Sequence, residues 1–160
     1  MARTDGRKLT AGERELAASI FGSAIDFDAV RLHRRKWFPF QPRAAVMAPD
    51  GHIWVHPEGR LWSDDYAKSP INLQGLFIHE MTHVWQAQQR GRWYLVLMRH
   101  PFCRYAYDLR PGWPFDRYGL EQQAEIARHV FLLRRGYPTA APAGLAELEN
   151  ICPFSGGIAA

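Results

Sequence analysis

Ile71-Asn72-Leu73-Gln74-Gly75-Leu76-Phe77-Ile78-His79-Glu80-Met81-Thr82-His83-Val84-Trp85-Gln86-Ala87-Gln88-Gln89-Arg90-Gly91 is the stretch on which the reading of this chain turns. Leu73, Leu76, Phe77, Met81, Val84 and Trp85 recur at spacings of three and four, which predicts an amphipathic helix ending at Gly91. Inside it, His79 and His83 are four residues apart and stand one above the other on one face, so both imidazoles can chelate a single ion. Glu80 lies about 100° further round the helix and can reach a water beside that ion without displacing it.

This H-E-x-x-H spacing is that of hydrolytic zinc sites, and two histidines do not complete one. Catalytic zinc takes three protein ligands and keeps a fourth position for water. A metzincin would continue with glycine at position 86 and histidine at 89; Gln86 and Gln89 stand there instead, which excludes that class. The other common third ligand is an acid on a second helix. Tyr118 to Arg128 supplies Glu121 and Glu125, four apart and on the same side. Glu121 is the candidate ligand, and Glu125 the candidate acceptor for the second ring N–H of a zinc-binding histidine. Alternatively, Glu121 serves the helix N-terminus through the macrodipole and Glu125 is a solvated charge. His129, a further four residues on, is a rival ligand.

His79-Glu80-Met81-Thr82-His83 followed by Glu121 and Glu125 resembles the gluzincin metallopeptidases. The resemblance implies Zn2+ held by His79, His83 and Glu121, Glu80 as the acid/base, and Glu125 behind a ligand, where that family more often has Asp. A narrower resemblance covers roughly residues 10 to 90. Phe21-Gly22, Ile25 to His33, Met47-Ala48, Gly51 to Val55 and His79 to Gln86 are similar to the H-E-x-x-H domain of proteins encoded beside bacterial contractile injection systems, namely the eCIS-core and small Vgr-related or Rhs-linked proteins. That implies a minimal metallopeptidase-like domain with a secretion-system or toxin partner.

At 160 residues and 47% hydrophobic, with six Trp and nine Phe, the chain fits one domain over 1–160, with 1–9 and 155–160 expected to fray. The polar start and the lack of a long apolar run predict no signal peptide and no membrane anchor, hence cytoplasmic residence or export by a dedicated apparatus. Cys103 and Cys152 lack C-x-x-C spacing and read as free thiols in a reducing compartment. The net charge of +4 comes mostly from arginine, and Arg31, Arg34, Arg35 and Lys36 form the densest cluster beside Trp37 and Phe38. Elsewhere cations alternate with acids, so the cluster reads as a solvated face rather than a nucleic-acid site.

Thr10-Ala11-Gly12-Glu13 is a capping box opening a first helix over about 11–21. Strands are expected near 30–33, 44–48 and 52–56, the last two flanking the Pro49-Asp50-Gly51 turn. The expected fold is therefore α+β: a small antiparallel sheet packed on the H-E-x-x-H helix, with a second ligand-bearing helix crossing it in a minimal zincin-like arrangement. Strand 52–56 is the expected edge for pairing with an extended peptide. Trp93 to Met98 is apolar and of unassigned type; Arg99 to Phe115 reads as a loop bordering the cleft. From it and its surroundings, His100, Arg104, Tyr105, Tyr107 and Tyr118 are candidates to stabilise an oxyanion, with Tyr105 and Tyr107 favoured. The last helices are expected at about 120–135 and 145–149. The functional expectation is zinc-dependent hydrolysis of a peptide or protein substrate. The alternatives are a zinc-binding accessory or scaffold of a secretion spike, and a DNA-associated protease resembling the SprT-like group.

Overall fold

The capping box forms as its residues dictate. In a computed structural model, which describes residues 6–98 and 103–154, Thr10 Oγ1 accepts from the Glu13 amide at 3.0 Å and the Glu13 carboxylate accepts from the Thr10 amide at 2.9 Å, starting helix α1 (Ala11–Phe21). Glu13 also accepts both terminal nitrogens of Arg7 at 2.8 Å and the Tyr66 amide at 2.9 Å, and its side chain is 0% exposed. One buried carboxylate thus ties the N-terminal segment, α1 and the Tyr66 turn together. Residues 6–9 are therefore not frayed as expected: Arg7 bridges Leu32 through both backbone groups at 2.9 Å, and Leu9 joins the core. Residues 1–5 and 155–160 lie outside the described residues. Removing Arg7 leaves the Glu13 charge buried without its cation, a situation that costs about 3 kcal/mol or more. Arg7→Ala is expected to lower the unfolding midpoint sharply in urea, and Arg7→Ala/Glu13→Leu to recover part of the loss; an unchanged midpoint in the single variant refutes this role.

The strands are shorter than expected: β1 (Leu32–His33), β2 (Val46–Met47) and β3 (Ile53–Val55), in the order β1-β3-β2. β2 and β3 are antiparallel, as the turn at 49–51 demands; Gly51 takes a φ of +87°, and the Asp50 side chain accepts from the His52 amide and the Trp54 indole. β1, however, runs parallel to β3, so the sheet is mixed rather than antiparallel. The cause is residues 34–45, which carry the chain away before β2 begins and so leave β1 free to take the opposite side of β3. Gln41 pins this connection, accepting from the Trp37 amide and donating to the carbonyls of Ala45 and Trp54. β3 is consequently the central strand. Its two sides are already paired, and it cannot be the peptide-binding edge that the sequence led us to expect.

Helix α2 (Ile71–Arg90) fills the predicted span and stops at Gly91, whose φ is +91°. The apolar run that follows forms a short helix α3 (Tyr94–Met98), and α4 (Leu120–Arg134) and α5 (Leu145–Ile151) complete the five helices among the described residues. Of the predicted loop, residues 103–114 hold no helix or strand, and its last residue, Phe115, opens a 3₁₀ turn (Phe115–Arg117). α2 and α4 pack antiparallel, since His79 meets Glu125 near one end and Gln86 meets Leu120 near the other. Their close approach uses Gly75, where a Cβ would lie 3.3 Å from Arg128 Nε and 3.4 Å from Leu132 Cδ2. Phe77, Ile78, Met81 and Val84 of α2 share the core with Ile126, Val130 and Phe131 of α4 and with Ile20 and Phe21 of α1. The architecture is α+β, and among the described residues no helix is long and apolar enough to cross a membrane.

Candidate metal centre

Antiparallel packing of α2 on α4 brings the acids at 121 and 125 to the histidines at 83 and 79. His79 Nδ1 lies 2.8 Å from Glu125 Oε1, and His83 Nδ1 lies 2.8 Å from Gln86 Oε1. The Gln86 amide nitrogen donates to the Leu120 carbonyl at 3.1 Å and to Gln123 Oε1 at 2.9 Å, and Gln123 in turn donates to the Tyr118 carbonyl. Gln86 must therefore turn its oxygen to His83, which puts the proton of that ring on Nδ1. Glu125, a carboxylate, does the same for His79. Both histidines are left with the Nε2 lone pair pointing inward, the arrangement in which partners behind the ring prepare a histidine for a metal.

What those lone pairs face is another acceptor. Glu121 Oε2 lies 3.1 Å from His79 Nε2 and 3.1 Å from His83 Nε2, and the side chains of the three residues are 6%, 4% and 1% exposed in the order His79, His83, Glu121. Acceptors converging in a buried place repel one another unless a cation sits among them. A proton can take that part: burial pulls the His79 pKa down, but hydrogen bonds to Glu121 and Glu125 and the charges of Glu80 and Glu121 carry it up to about 9. A metal ion can take it as well. Bonds of about 2.0–2.2 Å, as to zinc, would set tetrahedral ligand atoms about 3.3 Å apart, near the 3.1 Å from Glu121 Oε2 to each histidine nitrogen. His79, His83 and Glu121 are the group among the described residues whose donor atoms come together in this way.

His129, the rival ligand, is outside that group. Its Nδ1 accepts the Tyr107 hydroxyl at 2.6 Å, and its Nε2 faces Glu125 Oε2 at 3.5 Å. Burial holds the His129 pKa below the usual imidazole value, in keeping with a neutral ring that accepts from Tyr107. Burial pushes the Glu125 carboxyl up, yet its hydrogen bond to His79 and the charges of His79 and Arg128 hold it below the ordinary range. A line of contacts thus runs Tyr107, His129, Glu125, His79. Sequence reasoning did not find Gln86 or this line. Gln86, three residues past His83 on the same face, offered a local signal; Tyr107 to His129 spans 22 residues and offered none.

Glu80 is 5% exposed and faces the sheet side of α2, bordering a narrow gap with Val46, Ile53 and Tyr66. Of the oxyanion candidates, Tyr105 lays its half-exposed ring parallel to His79 with centroids 6.0 Å apart, whereas Tyr107 points to His129 and the Tyr118 hydroxyl accepts from the Arg110 amide. Arg104 lines a cavity beside the centre, and His100 lies outside the described residues. The basic cluster is largely spent on the chain itself: Arg31 donates to the carbonyls of Asp28 and Val30, Lys36 to that of Pro39, and Arg34 lies over Trp62. Cys103 and Cys152 are both free thiols.

No protein-family model matches the chain. In an alignment 142 positions long that covers 84% of this chain, it is 41% identical to the type VI secretion system spike protein VgrG2b of Pseudomonas aeruginosa, and it spans 14% of that protein. Its fold superposes on the effector domain of P. aeruginosa VgrG2b with a TM-score of 0.74 and 36% identity, covering 93% of this chain and 84% of that one.

Proposed function

From the premise that this chain belongs to the family of the VgrG2b effector domain, we propose that it is a zinc-dependent peptidase module linked to type VI secretion. Kinship supports the link to a secretion spike; the chemistry is read from the site. The observation that carries it is the convergence of two imidazole lone pairs and the Glu121 carboxylate, with Glu80 next to His79 on the same helix.

Each residue then has a task. His79, His83 and Glu121 would hold the ion, with Glu125 and Gln86 fixing the two rings. Bound zinc supplies a Lewis acid that brings the pKa of a water towards about 7. Glu80 accepts the proton of the attacking water and returns it to the leaving nitrogen, completing hydrolysis of the peptide bond. Tyr105, whose ring stacks on the ligand His79, is the candidate to steady the charge that builds on the carbonyl oxygen.

A second reading has an observation of its own. The ligand side chains are almost wholly buried, which limits the access of a substrate to the ion and would make the chain a zinc-bound scaffold of a spike. Activity separates the two. The purified protein is expected to carry about one zinc per chain and to cleave an unfolded protein or its own chain. A chelator is expected to abolish cleavage and added zinc to restore it. Stoichiometric zinc with no cleavage of either substrate would leave the scaffold reading standing and remove the peptidase one.

A further inference from the structure

Strand β3 has a partner on both sides, so a substrate cannot be held there by strand addition, but the surface cavities offer a bed of another kind. One lies beside the metal centre. A cavity of about 440 Å³ opens between the C-terminal half of α2, helix α3 and the first turn of α4, and it touches the centre at Glu121 and, behind the His83 ring, at Gln86. A second, of about 930 Å³, adjoins it under the 109–115 segment and α5. The two share Trp85, Gln89, Arg90, Asp116 and Tyr118, and so form one trough leading away from the centre. The second cavity alone is at the upper end of the range for small-molecule sites, room for several residues of polypeptide.

The lining says what kind of polypeptide. Trp85, Trp113 and Tyr118 give flat apolar walls. Guanidinium groups are laid on aromatic faces along the trough: Arg90 is 5.4 Å from the Tyr94 ring centre, and Arg110 is 4.9 Å from that of Trp113. A guanidinium held in this way keeps its edge N–H groups available for a carboxylate. In the cavity nearest the centre, Arg90 and Arg104 have no ion-pair partner among the described residues. Asp116 is the opposing acid there, because the Glu121 carboxylate is turned to the histidines.

We infer that this trough holds an extended stretch of the polypeptide substrate and selects for acidic side chains next to the metal centre through Arg90 and Arg104. The inference rests on the peptidase reading, and its test reads binding rather than turnover so that the two can fail separately. Metal-loaded Glu80→Gln protein is titrated into fluorescein-labelled decapeptides in which leucine alternates with glutamate or with lysine, and anisotropy is followed. The glutamate peptide is expected to bind about tenfold more tightly. Arg90→Ala/Arg104→Ala should bring the two peptides within about twofold, while Arg34→Ala/Arg35→Ala, a change of the same net charge in the cluster elsewhere, should keep the preference. Trp113→Ala should weaken both peptides alike. No saturable binding of either peptide, equal affinity for the two, or a preference that survives loss of Arg90 and Arg104 would overturn the inference. Acidic selectivity in a protein that cleaves nothing would instead strike the peptidase reading alone.

Discussion

Glu80→Gln is expected to keep its zinc and lose its hydrolysis. Glutamine has the shape of glutamate, so the packing of residue 80 against Val46, Ile53 and Tyr66 is retained, and residue 80 is not one of the three whose donor atoms converge. What the amide lacks is a basic oxygen to take a proton from water. General acid/base groups contribute roughly 10²–10⁴-fold to rate, and here one group serves both proton transfers, which puts the loss at the upper end of that range. Zinc content by atomic absorption and cleavage of a quenched fluorescent peptide, on the same preparation, make the comparison. Turnover within tenfold of the wild type in a sample with full zinc would remove Glu80 from the mechanism.

Glu121→Ala is expected to lose the metal itself, lowering zinc affinity by about a hundredfold or more, since it deletes the one anionic ligand. His129→Ala is the informative partner. It sits on the same helix and faces Glu125 without joining the convergent group, so it should retain stoichiometric zinc with an affinity lowered about tenfold as Glu125 loses a support. Competition against a chromophoric chelator reads both. Wild-type affinity in Glu121→Ala together with zinc loss in His129→Ala would exchange the two residues' roles and redraw the site.

The parts of this molecule that could be read from the sequence are those whose physics is local. α1 and α2 follow from a capping box, a three-and-four spacing and a terminal glycine, and their ends fall where these signals put them. The acid pair on α4 could be chosen because positions 121 and 125 obey the same i, i+4 rule as 79 and 83. Sheet topology could not be read, because the pairing of Leu32 with Ile53 depends on where residues 34–45 send the chain. Once β1 took the far side of β3, the expected edge strand became a central one. The same limit hid the Tyr107 hydroxyl's partner: its loop position marked it for the cleft, and a non-local contact turned it to His129.

Glu121 stands 42 residues from His79 and 38 from His83 along the chain, and only the packing of α2 against α4 brings it to them. A bound ion would therefore act as a reversible cross-link, closing a long loop much as a disulfide does. The unfolded chain keeps the two histidines as neighbours in sequence but has no third arm, so it grips zinc poorly and the folded chain grips it well. That difference is a source of stability set by supply: the gain grows as the logarithm of free zinc over its dissociation constant. The same protein would then be a firmer body where zinc is plentiful and a looser one where it is scarce, with the Gln86 amide, bonded to both Leu120 and Gln123, keeping the helices in register meanwhile.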